Sequence, residues 1–250
     1  MIKAKKKKGG NMEVKVNALV VKAVDYKDND KILTLYSLEK GKITAGIKGV
    51  KKSGAKLKFA SEPFCFAEFI LAEKGGRYTV IGASYIDSFY ELRLSLEKFY
   101  TSSIISEVLN VYTESEISDP YLFDIAINGI KNICYNNNER VYLCSFLYKT
   151  IEALGYKMGE TNCYNCKEDI AGRVFFRYKD AVFACQNCCE EDFKEIRQET
   201  LKSLNLIKKE SFDSSSLTED GVNKLLKFLF YYLYVKTDVK LKTQEALEKI

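Results

Sequence analysis

The chain has 250 residues, 39 Lys plus Arg against 34 Asp plus Glu, a formal charge of +5 and 46% hydrophobic residues. That is a folding composition with room for one large domain or two to three small ones. Histidine is absent, which removes every mechanism that needs an imidazole base or a histidine-ligated catalytic zinc. With 13% aromatic residues and only two prolines, the chain lacks the low hydrophobicity of disorder.

The N-terminal stretch, residues 1–11, is a basic leader with Lys5, Lys6, Lys7 and Lys8 followed by Gly9 and Gly10. No apolar segment follows it, so it does not read as a secretory signal, and a cytoplasmic location is expected. Residues 1–87 hold 18 Lys/Arg and 9 Asp/Glu, a balance of +9, whereas residues 88–250 hold 21 and 25, a balance of −4. The interval 40–58 contains Lys40, Lys42, Lys48, Lys51, Lys52, Lys56 and Lys58 without one acidic residue. Such a concentrated positive field suits a polyanion.

Within 12–86 the hydrophobic pattern alternates. Val14 and Val16, Leu33 and Leu35, and Ile43, Ala45 and Ile47 mark three strands, with a hairpin turn at 39–42; 64–73 and 77–86 form a second hairpin around Lys74, Gly75 and Gly76. Five strands with a Gly/Lys/Ser-rich connection over 49–60 predict a small closed barrel of the OB type, an SH3-like barrel being the alternative.

From Asp87 onward the period becomes helical. Leu92, Leu96, Tyr100, Ile104 and Val108 recur every four residues, and Leu122, Ala126, Ile130 and Ile133 follow the helix start Ser118, Asp119 and Pro120. Further helices are predicted over 141–154, over 190–207 and after Thr218. The apolar run 225–235 of the last is a buried helix, too short for a membrane span and interrupted by Lys227. The expected class is α+β: a five-stranded OB-fold barrel over 12–86, then a helical bundle domain over 87–250 with an inserted ribbon at 160–190.

That ribbon is the sharpest local signal. Cys163 and Cys166 are followed, after 18 residues, by Cys185 and Cys188, and two CxxC knuckles at this separation are a zinc-site spacing. The segment 173–184 reads as a hairpin that brings them together. Four thiolates close the tetrahedron and leave no position for an activated water, so one structural Zn2+ is expected. Cys189 competes with Cys188 for the fourth position, and Cys188 is preferred. Cys65, Cys134 and Cys144 lie in apolar patterns and read as buried small hydrophobes.

Gly49 to Gly54 has the outline of a phosphate-cradling loop, but Ala55 stands where the motif needs Lys, and Leu57 cannot ligate magnesium. With no imidazole, nucleotide motif or carboxylate cluster, the chain is expected not to be an enzyme. The phosphate contacts expected for a nucleic-acid ligand are Lys31, Lys42, Lys48, Lys51, Lys52 and Lys56, with Lys58 and Arg77 behind them. Tyr26 and Tyr36 are lesser candidates for base stacking. An RNA-binding or translation-associated protein with the same two modules is the alternative reading.

The order of Ala18 to Val21, Asp25 to Tyr36, Gly41 to Ile43 and Lys48 to Lys52, then Gly155 and Tyr156 ahead of the two knuckles, resembles the bacterial RecO family of recombination mediators. Two departures touch the ribbon's turn: Lys179, Asp180 and Ala181 replace the usual Gly-Gly, and Lys157 and Met158 stand where a proline is common. The resemblance implies a non-enzymatic DNA-repair protein of the RecF pathway, nucleoid-associated in the cytoplasm. Such a protein binds single- and double-stranded DNA and anneals complementary strands. With RecR it promotes RecA loading on strands coated by single-stranded-DNA-binding protein (SSB), whose acidic C-terminal tail it contacts.

Overall fold

The computed structural model describes residues 5–6, 12–209, 213–247 and 249. Apart from Lys5 and Lys6, the basic leader lies outside the described residues. The chain forms two compact units: residues 1–135 together with 243–250, and residues 136–242.

In the first unit a two-residue strand, β1 (Lys5–Lys6), precedes β2 (Met12–Tyr26), β3 (Asp30–Ser37), β4 (Gly41–Ile47), β5 (Phe66–Lys74) and β6 (Arg77–Asp87). The sheet order is β1-β2-β3-β4-β6-β5, and β2 also pairs with β5, so strands β2 to β6 close on themselves. All pairings are antiparallel except β4 with β6, where Ala45, Gly46 and Ile47 lie beside Tyr78, Thr79 and Val80. This is the predicted OB barrel.

The 15-residue β2 serves two neighbours. Met12 to Leu19 pair with Glu73 to Phe66, and Ala18 to Tyr26 pair with Ser37 to Asp30, with a bulge between Val20 and Lys22. A bulge sharpens the local twist, which lets one strand turn the corner of a small barrel. The interior follows the period of two: Val14, Val16, Ala18, Leu33, Leu35, Ile43, Ala45, Ile47, Phe69, Leu71 and Val80 are buried together. Cys65 is also buried there, and burial pushes its thiol up to about 12.

Two helices complete this unit. α1 (Leu96–Tyr112) is capped by Ser95, whose hydroxyl accepts the Lys98 N–H at 3.3 Å. α2 (Pro120–Tyr135) starts with proline in its first turn, and Asp119 Oδ1 accepts the Leu122 N–H at 3.0 Å. The expected helical stripe began at Leu92, but Leu92 sits on a separate 3-10 turn, Tyr90–Arg93. A short C-terminal helix, Lys242–Leu247, which the sequence pattern did not announce, returns to this unit: the Glu107 carboxylate accepts the Thr243 N–H at 2.8 Å.

The second unit contains α3 (Glu139–Ala153), a small sheet of β7 (Val174–Arg177), β8 (Val182–Cys185) and β9 (Lys194–Ile196), α4 (Gln198–Ile207) and α5 (Glu219–Thr237). The predicted helix over 190–207 is corrected here. Only Gln198–Ile207 is helical, because Lys194, Glu195 and Ile196 pair with Phe176, Phe175 and Val174 and satisfy the open edge of β7. The run 225–235 is buried through Leu225, Leu226, Phe228, Leu229, Phe230, Tyr232 and Leu233, while Lys227, Tyr231, Tyr234 and Val235 face outward.

The loop between α1 and α2 seals the β3–β4 turn. Gly41 has φ +63°, and a Cβ placed on it would stand 1.8 Å from the Ile117 carbonyl oxygen. Glu116 N donates to Lys42 O at 2.9 Å and Ser118 Oγ to Leu38 O at 2.6 Å. Gly54 also has positive φ, +74°, but open space around it. Gly41→Ala is therefore expected to cost clearly more than Gly54→Ala, with the latter costing about 1 kcal/mol and the former about 2–3 kcal/mol. Paired thermal or urea melts read the difference directly.

Candidate metal centre and nucleic-acid surface

In the second unit the ribbon brings both knuckles together. The sulfurs of Cys163, Cys166, Cys185 and Cys188 all lie within 4.8 Å of one another. Four thiolates around a tetrahedral ion with bonds near 2.3 Å require edges of about 3.8 Å, so this cluster is close to a closed four-sulfur site and could hold a metal ion. Cys185 ends β8, opposite Val174, and its knuckle is turned by a Cys188 N–H to Cys185 O bond of 3.1 Å. The first knuckle docks on the hairpin through Tyr164 N to Phe183 O at 2.7 Å, and Lys167 closes its turn at φ +65°.

The electrostatics favour thiolate character at Cys163. Burial alone would raise its pKa, but N–H groups of Cys185, Cys166 and Asn165 point at the sulfur and bring it down to about 6. The Cys185 N–H lies 3.5 Å from it, and Asn165 Nδ2 lies 3.6 Å from the Cys188 sulfur. Cys189 stands outside the cluster, its sulfur bonded to Gln186 O at 3.3 Å.

Arg177 ties the ribbon together beneath the knuckles. It pairs with Asp180 at 2.9 Å, Glu190 at 3.0 Å and Asp192 at 3.6 Å, with its guanidinium 5.2 Å from the Tyr164 ring and 4.7 Å from Phe193. Tyr164 Oη donates to the same Glu190 carboxylate at 2.5 Å. Lys179, Asp180 and Ala181 at the ribbon's turn are accommodated by this Asp180 pair and by positive φ at Ala181.

In the first unit the predicted phosphate contacts divide. Lys48, Lys52, Lys56 and Lys58 are exposed on the connection between β4 and β5 and make no ion pair among the described residues. That connection is fastened to the β2–β3 turn, with Gly49 N bonded to Asp30 Oδ1 at 2.8 Å and Lys51 N to Asn29 O at 3.1 Å. Lys51 itself is engaged by Asp25 at 2.6 Å, and Lys31 lies opposite Asp25 in the ladder. Lysine proximity holds the Asp25 carboxyl below its ordinary range, the Lys51 hydrogen bond being the main cause.

Lys42 is a correction. Its side chain turns inward and donates to Asn110 O at 2.6 Å, and burial lowers its ammonium pKa, so it serves as a strut between β4 and α1. Arg77 is exposed but opens β6 one residue before the Ala45–Tyr78 pair, away from the lysine connection. Tyr36 is buried against Phe123, with ring centroids 6.1 Å apart, which removes it as a stacking group. Tyr26 is 47% exposed, with Lys27 Nζ 5.3 Å from its ring.

A groove in the second unit was not foreseen from the sequence. Tyr178, Ile196, Phe228 and Tyr231 line a cavity of about 500 Å³ together with Thr200 and the charged residues Glu195, Arg197, Lys224 and Lys227. Lys224 is held by Asp220 at 2.5 Å and Glu199 at 3.4 Å, whereas Lys227 is exposed and has no ion pair among the described residues. The signal was present in the helical spacing of Lys224, Lys227, Phe228 and Tyr231 on α5.

Residues 12–89 match the family model described as "Recombination protein O N terminal", and residues 93–245 the one described as "Recombination protein O C terminal". The chain belongs to the recombination protein O family. Family members named DNA repair protein RecO align along almost the whole length. The protein of Clostridium perfringens is 28% identical over 246 residues, 95% of this chain and 98% of its own. That of Bacillus subtilis is 26% identical over 246 residues, covering 96% and 95%, and that of Caldicellulosiruptor saccharolyticus is 26% identical over 233 residues, covering 91% and 96%. No helix among the described residues is long and apolar enough to cross a membrane.

The four-sulfur geometry predicts the outcome of a Co2+ titration followed by thiolate charge-transfer absorption. The natural chain and Cys189→Ser should each take up one ion, while Cys166→Ser and Cys188→Ser should lose affinity by more than about 100-fold.

Proposed function

We propose that this protein is a non-enzymatic recombination mediator in DNA repair. It binds single- and double-stranded DNA through the barrel, anneals complementary strands and, with RecR, promotes RecA loading on SSB-coated single strands. The observation that carries this reading is the line of lysines without ion pairs among the described residues, Lys48, Lys52, Lys56 and Lys58, on a closed OB barrel in a chain that the family models match over residues 12–89 and 93–245. Lysines that neutralise phosphates release counterions, which gives affinity without sequence preference. Annealing needs only that two strands be held with their charge reduced and their bases free to pair, so no catalytic group is invoked.

The metal is Zn2+, held by Cys163, Cys166, Cys185 and Cys188. Its role is structural, because four sulfur donors leave no coordination position for a substrate. The acidic C-terminal tail of SSB binds in the α4–α5 groove, where Arg197, Lys224 and Lys227 outnumber the one acid, Glu195, beside an aromatic lining, and Glu195 is itself held by Arg173. A cytoplasmic, nucleoid-associated location follows from this role.

The test is duplex formation from two complementary oligonucleotides, followed by fluorescence transfer across a salt series without ATP. The protein should accelerate annealing in a salt-sensitive manner. The Lys48→Glu, Lys52→Glu, Lys56→Glu triple variant should lose the acceleration and flatten the log–log salt slope for single strands by about 2, at roughly 0.7 per contact. Tight binding without acceleration, or a preference for RNA at equal salt, would replace this reading with the RNA-binding one.

A fluorescent acidic peptide with the sequence of an SSB tail should bind the natural chain. Lys227→Glu should weaken that binding roughly tenfold while leaving DNA affinity unchanged. Equal peptide binding by Lys227→Glu would remove the groove as its site.

A further inference from the structure

The connection 48–65 ends in an aromatic feature that the lysines do not explain. Val50 and Ala60 are buried with the barrel core, and Leu57 and Phe59 pack against it. A connection reaches an interior walled by hydrogen-bonded strands only across an end, so these residues cap the barrel. Phe59 then stacks on Tyr85 of β6, with ring centroids 4.8 Å apart and planes at 27°.

Tyr85 continues the inward register of Val80 and Ala83, because it lies opposite Ala67 in the ladder. At the barrel's rim it has no interior left to fill, and it remains 50% exposed. One-residue bulges at Ile81 and Ile86 flank it and leave both side chains exposed as well. One face of the Tyr85 ring is thus fixed on Phe59 while about half the residue stays in water.

Lys56 and Lys58 are exposed on the same short stretch as Phe59, and no acidic residue occurs between Lys40 and Ser61; the first acid after it is Glu62, whose N–H donates to Phe59 O at 3.1 Å. Among the acids near Tyr85 in sequence, Asp87 is already engaged. Tyr135 Oη donates to both of its oxygens, at 2.8 and 2.9 Å, and the Phe89 N–H donates to one of them at 2.9 Å. A flat, immobilised aromatic face beside unpaired ammonium groups has the chemistry that recognises an unstacked nucleobase with its phosphates.

We propose that Tyr85, seated on Phe59, is a base-stacking platform that makes the lysine connection selective for single strands over duplex. The proposal rests on the DNA-binding reading above and adds a specificity to it. Lysines alone serve either form of DNA, whereas a base within a duplex already has both faces covered and has none to offer Tyr85. At the other end of the connection, Tyr26 stands exposed beside the β2–β3 turn to which Gly49 and Lys51 are bonded. The unpaired lysines therefore run between two exposed tyrosines, a track for an extended strand.

The sequence contains no tryptophan, so Tyr85→Trp installs a single indole at the platform in the full-length protein. Titration with a labelled oligothymidylate and with a labelled duplex reads binding by anisotropy and stacking by indole emission in the same sample. Oligothymidylate should quench the introduced indole in step with the anisotropy rise, and duplex should bind with little quenching. Tyr85→Ala should lose roughly tenfold in single-strand affinity with little change for duplex, and Tyr85→Phe should retain the natural affinity, which separates stacking from misfolding.

Saturating anisotropy with unchanged indole emission would overturn the platform and leave the DNA-binding reading standing. Equal losses for single strand and duplex in Tyr85→Ala would also overturn it. Absence of any anisotropy change in the natural chain would overturn both.

Discussion

Closing the barrel with a parallel pair is the constraint on which the rest of the first unit depends. Antiparallel neighbours can be joined by a tight hairpin, but β4 and β6 run the same way, and a parallel pair needs a crossover. The chain supplies it by leaving Ile47, passing through residues 48–65 and returning along β5 before it enters β6. Val50, Leu57, Phe59 and Ala60 offset that detour with apolar contacts on the core. The polar positions in between are left to solvent, and there the sequence places lysines. Topology thus creates the loop, packing fixes its inward residues, and charge uses the remainder.

The second unit solves a different problem. Its three-stranded sheet has strands of four, four and three residues, too short to be stable without support. The support comes from two sources. Phe176 packs between Phe183, Phe228 and Tyr232, with ring centroids 4.7 to 5.7 Å apart, joining the hairpin to α5. At the ends of the hairpin the four sulfurs and the Arg177 network hold the two turns. A metal ion there would link positions 163 and 188, so the site's contribution is to fix loops that the small sheet cannot fix alone.

Much of this was legible because the physics is local. Val14, Leu33, Ile43, Phe69 and Leu71 alternate because a strand's faces alternate, and the two CxxC knuckles lie where a hairpin must bring them. What was not legible depends on distant partners. Lys42 belongs to the same acid-free interval as Lys48, but its ammonium meets a carbonyl 68 residues away on α1. The predicted start of a helix at 190 failed because the edge of β7 needed a partner, a demand that the polar residues 190–192 do not reveal. Tyr85 gains its meaning only from bulges that shift β6 and from Phe59, which arrives on a separate segment of the chain.

The short C-terminal helix bears on how the molecule is made. The chain leaves the first unit after Tyr135, builds the whole of the second, and re-enters the first at Thr243, where Glu107 receives it. In chain order the ribbon-bearing unit is an insertion within the barrel-bearing unit. On the ribosome, then, the barrel strands emerge first but the unit to which they belong is completed last, after the intervening residues 136–242 have been synthesised. The order of synthesis and the order of completion run in opposite directions.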